Sequence, residues 1–162
     1  MDIFVAWVQA THLSQAIVGS LWVWPLCETI HFIGLSLIVG VVGFFDLRLM
    51  GFFADIPAAA IRSLMPAAVV GFLCNLTTGI VFLAGHPEQY AHNIAWWAKV
   101  SFLVIAGLNA LIFEKAMAQR IFAAAEPKEM PLAAKMIGAV SLVAWLGVLY
   151  WGRMLPFIGD AY

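Results

Sequence analysis

Glu28 and His31 stand three residues apart in the stretch "WVWPLCETIHFIGLSL", Trp22 to Leu37, which is otherwise almost wholly apolar. At i, i+3 on a helix the carboxylate and the imidazole share one face. Together they can move a proton, hold a metal or haem iron, or hydrogen-bond a polar ligand. Two cations lie elsewhere in comparably apolar surroundings, Lys99 and Arg153, and Asn75 and Thr78 add hydrogen-bonding groups. Ammonium and guanidinium groups suit a carboxylate, phosphate or propionate, and His31 can donate to a quinone carbonyl. These six residues form the candidate ligand- or cofactor-binding set; no catalytic residue is assigned, and the chain is not read as a stand-alone enzyme.

The elements that must position them come from composition. Of 162 residues 64% are hydrophobic and 10% charged, against roughly a quarter charged in soluble domains. A core this small cannot bury that excess, so the lipid bilayer is the expected solvent. Four runs, about 22–45, 66–84, 94–113 and 132–151, approach the ~20 apolar residues that a bilayer core requires. Helices are the way to satisfy their backbones there. The expected fold is therefore an all-α membrane protein: four transmembrane helices in a bundle, preceded by an amphipathic interfacial helix over residues 1–20, all one domain (1–162). In that first helix Ile3, Trp7, Leu13, Ile17 and Leu21 share a face opposite Gln9, His12 and Gln15. Gly19, Ser20 and Pro25 separate it from the first span. Its sequence has no basic n-region or small-residue cleavage site, and so does not read as a signal peptide.

Charge placement sets the orientation. Six of the eight basic residues fall in two loops, Arg48 and Arg62 in one and Lys115, Arg120, Lys128 and Lys135 in the other. Those loops are expected in the cytoplasm, with both termini on the periplasmic side of a bacterial inner membrane. Trp22, Trp24, Trp96, Trp97, Tyr150 and Trp151 cluster at the outer ends, as an interfacial aromatic belt would. A net charge of −1 excludes a basic nucleic-acid face. Two cysteines without a CxxC spacing suggest neither a disulfide scaffold nor a thiolate metal site. In the first cytoplasmic loop Asp55 is the expected N-cap of a fresh helix, with Pro57 in its first turn and Pro66 kinking the second span. Ser36, Gly40 and Gly43 are expected to give a close-packing face on the first span. At the inner boundary, Asp46 or Glu114 is expected to pair with Arg48 or Lys115.

Counting residues from Asp46, Glu114 and Lys135 as inner-boundary markers gives depth. Glu28 and Arg153 lie 18 residues above their markers, about 27 Å at the helical rise. His31 and Lys99 lie 15 above theirs, about 22 Å. The expectation is one outer-leaflet polar layer, with Glu28, His31, Lys99 and Arg153 facing inward and Asn75 and Thr78 beside them. Haem b and quinone are the cofactors weighed, with His31 as a sole axial ligand if haem binds. A bis-histidine haem fits poorly, because His86 lies roughly 14 Å above His31 on the same count. A di-iron centre lacks its second Glu-x-x-His and two more carboxylates at that depth.

The run "WPLCETIHFIGLSLIVGVVGFFDLRLMG", with "WAKVSFLVIAGLNALIF" and "WGRMLPF" after it, resembles a family of small bacterial four-helix inner-membrane proteins without an assigned activity. Trp24, Pro25, Glu28, His31, Asp46, Arg48, Lys99, Asn109 and Arg153 match its characteristic positions. That pattern often has a histidine where this chain has Glu114, and no usual counterpart of His86 or His92. The resemblance implies the four-helix fold and the polar cluster. The leading expectation is a small membrane subunit or anchor whose outer pocket binds a quinone, haem or anionic ligand and serves a periplasmic redox partner. The competing readings are a ligand-free structural subunit of a larger complex, a stand-alone haem b protein and a small transporter.

Overall fold

A computed structural model describes residues 2–122 and 129–158. The described residues fold into helices and connecting turns, without strands. Two short helices open the chain, α1 (Asp2–Gln9) and α2 (His12–Val18). The long helices are α3 (Val23–Met50), α5 (Met65–Gly85), α7 (Ile94–Ala116) and α9 (Leu132–Met154). Short helices fill the connections: α4 (Ala58–Arg62), α6 (Pro87–Ala91) and α8 (Ala118–Ile121), with a 3-10 turn at Leu155–Phe157. Four helices are long and apolar enough to cross a membrane, α4 and α5 counting as one stretch. They correspond to the four apolar runs. Lys128 lies outside the described residues.

The N-terminal segment differs from the expected single helix. The Thr11 side chain caps α2 by accepting from the Ser14 amide at 3.2 Å, and its hydroxyl donates to Val8 O at 2.6 Å. That capping starts a second helix where a continuous one would run on. The break rotates the apolar stripe: Ile17 is buried, whereas Ile3 and Leu21 remain 87% and 89% exposed. Helix α1 packs against α6, and α2 against α5.

The long helices pack in the order α5, α3, α9, α7. Glycine sets the tightest seam. A Cβ on Gly71 would stand 2.5 Å from Gly34 O, and one on Gly34 would stand 2.7 Å from Gly71 O. Only residues without a side chain permit backbones this close. Gly138 does the same for α9, where a Cβ would meet Asp46 O at 2.7 Å. The expected face of Ser36, Gly40 and Gly43 is not the close one: a Cβ at Gly40 meets nothing within 4 Å, and Ser36 is exposed.

The basic end is closed by short elements. Phe45, Leu49, Ile61, Phe113, Ile121 and Met130 form the buried cluster there. Helix α3 ends at Gly51, whose positive φ of 103° lets its amide reach Arg48 O. Pro57, not Asp55, occupies the N-cap of α4, and its fixed φ suits that position. Pro66 falls at the start of α5, so it begins that helix instead of kinking it.

Candidate functional site

The six sequence-selected residues do not form one constellation. Thr78 is 4% exposed, and its Oγ1 lies 2.7 Å from His31 Nδ1. The threonine hydroxyl also donates to Cys74 O at 2.8 Å. A hydroxyl has one proton to give. His31 therefore carries its proton on Nδ1 and donates to Thr78, which leaves Nε2 with the lone pair. The Lys99 charge is close enough to act on this ring. Asn75, with its amide nitrogen toward α3, donates to His31 O at 2.7 Å and accepts from the Leu35 amide at 3.3 Å. His31, Thr78 and Asn75 are thus joined by hydrogen bonds between α3 and α5.

Glu28 and Arg153 point elsewhere. Glu28 is exposed and accepts from Trp24 Nε1 at 3.2 Å, one turn earlier on α3. Its charge acts on Tyr90 of α6. Burial foremost, and Glu28 after it, push the Tyr90 hydroxyl up to about 12. Arg153 is exposed and stacks over the Phe157 ring at 5.0 Å. The space above His31 is taken by rings. Phe82 lies 5.6 Å from His31, Trp24 lies 4.9 Å from Phe82, and His86 lies 5.1 Å from Trp24. The two imidazoles stand at opposite ends of that chain of contacts. Among the described residues no three His, Cys, Asp or Glu side chains group as metal ligands.

A cavity lies in the other half of the molecule. Helices α5 and α7 scarcely touch, since each packs on the α3–α9 pair instead. The gap between them holds a cavity of ≈ 390 Å³. Met65, Ala68 and Phe72 form one wall; Leu103, Ala106, Gly107 and Ala110 form the other; Ile38, Val42 and Trp145 line its back. These walls are apolar, and the small residues on α7 leave the volume open. Its polar groups gather toward the basic end: Asp46 from α3, Asn109 from α7 and Ser141 from α9.

Each of these three is at least nine-tenths buried. The Ser141 side chain lies beside the Asp46 carboxyl. Asp46 Oδ2 is buried with no hydrogen-bond partner among the described residues. Asn109 Nδ2 donates to Ile137 O across the α7–α9 contact at 3.0 Å. At the mouth, Arg62 pairs with Glu114 at 2.8 Å and lies over the Phe122 ring at 4.1 Å. Glu114 therefore takes Arg62 where Arg48 or Lys115 was expected. Arg48 donates through Nε to Ile56 O at 2.7 Å.

By sequence, Asp46 reads as a boundary anchor and Asn109 as an interhelical hydrogen bond. The second reading describes the Asn109 nitrogen. Neither contains the cavity, because a gap between two helices leaves no mark in either helix alone. A further buried residue, Asn93, is absent from the sequence-selected set. Its Oδ1 accepts from the Ala95 amide at 2.9 Å, capping α7, while its Nδ2 donates to Leu155 O and Ile158 O. It ties the end of α9 to the start of α7. The signal for it was its place directly before an apolar run.

Comparison with protein-family models, curated proteins and solved structures gave no match for this chain.

Proposed function

We propose that this chain is a small polytopic subunit of a bacterial inner membrane that binds a quinone-type amphiphile between α5 and α7. The observation that carries the reading is the gap itself. In a four-helix bundle, two neighbouring helices that do not pack against each other leave a lateral opening to the hydrocarbon. The ≈ 390 Å³ space behind it has apolar walls and three polar groups toward one end. Apolar enclosure with a few convergent polar groups is the usual form of a small-molecule site. A ring with a polar edge and an isoprenoid tail fits that division. Arg62, Lys115, Arg120 and Lys135 place the polar end of the cavity toward the cytoplasm by the positive-inside rule.

Trp145 lines the cavity, and quinones quench indole fluorescence, so titration with a short-chain quinone tests the reading. Saturable quenching that is largely lost in Trp145→Phe supports it; quenching unchanged in that variant contradicts it.

A second reading rests on Lys99. Its ammonium has no hydrogen-bond partner among the described residues, although its charge acts on His31. An anionic group, such as a lipid phosphate or a haem propionate, would answer it, and His31 Nε2 has the lone pair an iron requires. A Soret band in the purified protein that shifts in His31→Ala would favour that reading over the quinone one.

A further inference from the structure

We infer that the gap between α5 and α7 also takes a long-chain fatty acid, with its carboxylate on Lys99 and its chain in the apolar cavity. The inference goes beyond the quinone reading and shares only the cavity with it. It starts from the place of Lys99 on its helix. Ala95, Ala106, Asn109 and Phe113 mark the buried stripe of α7. Lys99 follows Ala95 by four residues and precedes Ala106 by seven, so it stands on that stripe. There it is only half-buried. Its Cδ, Cε and Nζ would each stand 3.7 Å from a Cβ on Gly152, so α9 sets bare backbone beside the ammonium. No hydrogen bond or ion pair joins Lys99 to an acid among the described residues. The described acids toward that end of the bundle are engaged elsewhere, Glu28 with Trp24, Glu88 with His86 and Asp2 with His92.

An ammonium in apolar surroundings calls for an anion. One turn further along the same face, Leu103 begins the wall of the cavity, and Ala106, Gly107 and Ala110 continue it. From Lys99 to Ala110 the helix rises about 16 Å. Half of a bilayer core, the reach of one lipid chain, is about 15 Å. A lone cation at the end of an apolar space of that length matches a single-chain amphiphile with an anionic head. A fatty acid supplies one charge for the ammonium and one chain for the cavity.

The test uses the whole chain in phosphatidylcholine nanodiscs and palmitate carrying a mid-chain nitroxide. The readout is the quenching that disappears in Trp145→Phe. Trp145 lies seven residues before Gly152 on α9, about 10 Å along the expected course of the chain. The labelled acid is expected to bind about tenfold or more tightly than its methyl ester, which keeps the chain and loses the charge. Lys99→Met should bring the two within about threefold. A labelled alkylammonium of the same length should bind more weakly than the ester to the unaltered protein, a comparison that needs no variant to fold. Equal affinities for acid and ester overturn the inference and leave the cavity to the quinone. So does an acid preference that survives Lys99→Met, an alkylammonium that binds as well as the acid, or displacement of the acid by phosphatidylglycerol as readily as by unlabelled palmitate. Absence of Trp145-dependent quenching by acid and ester also overturns it, while the quinone titration decides the quinone reading separately.

Discussion

Ser141 on α9 lies beside the Asp46 carboxyl on α3, whose Oδ2 is buried without a hydrogen-bond partner among the described residues. Such a carboxyl inside an apolar helix contact is costly to keep. Ser141→Ala takes away the hydroxyl that lies beside it. We expect that variant to lower the stability of the purified protein by about 1.5–3 kcal/mol, the range for hydrogen bonds to charged groups. Denaturation midpoints in detergent measure it.

Gly71 sets a close backbone approach between α5 and α3. In Gly71→Ala the new methyl meets the Gly34 carbonyl and the Leu37 Cβ, both fixed in the backbone of α3. Helices α3 and α5 must part, at a cost of about 1–3 kcal/mol. Gly79→Ala lies on the same helix with nothing within 4 Å of the added carbon. It should be neutral or stabilising, by up to about 1 kcal/mol from helix propensity. Thermal midpoints of the two variants compare them directly.

Thr78→Val takes away the acceptor of the His31 Nδ1 proton. The expected destabilisation is about 0.5–1.5 kcal/mol, with no change in Trp145-dependent quinone quenching. Loss of quenching in this variant would move the ligand site to the layer of His31 and Lys99.

Tyr90 gives a pH dependence outside the membrane-spanning segments. Its hydroxyl is raised to about 12 in the folded protein from an ordinary 10.0. The folded state therefore holds the proton more tightly than the unfolded state. Its contribution to stability is complete below pH 10 and is lost as pH rises toward 12. Tyr90→Phe should flatten alkaline unfolding in that window, and tyrosinate absorbance should show one late-titrating phenol that the variant lacks.

The four spans were legible because length and apolarity are properties of each segment alone. Depth could be read in part: residues counted from one end of the long helices put His31 near the level of Thr78 and Asn75, and hydrogen bonds join the three. Direction around the helix was harder to read. Glu28 and His31 share a face by spacing, yet Trp24 draws Glu28 along its own helix while Thr78 holds His31 against α5. Gly34 was passed over for Gly40 and Gly43, because small-residue spacing on one helix does not say which face its partner approaches. The cavity was invisible for the same reason. It exists where α5 and α7 fail to meet, and Asp46 and Asn109 gain their meaning from opposite sides of that gap.

The most direct test of the site is photolabelling of the intact protein in membranes with an azido-substituted short-chain quinone, followed by peptide mapping. Gly107 provides the control, since it lines the cavity and a Cβ there meets nothing within 4 Å. Labels are predicted on cavity-lining residues such as Phe72 and Leu103, and a folded Gly107→Leu variant should lose them. Labels confined to the layer of His31 and Lys99, or cavity labels undiminished in Gly107→Leu, would contradict a ligand site between α5 and α7.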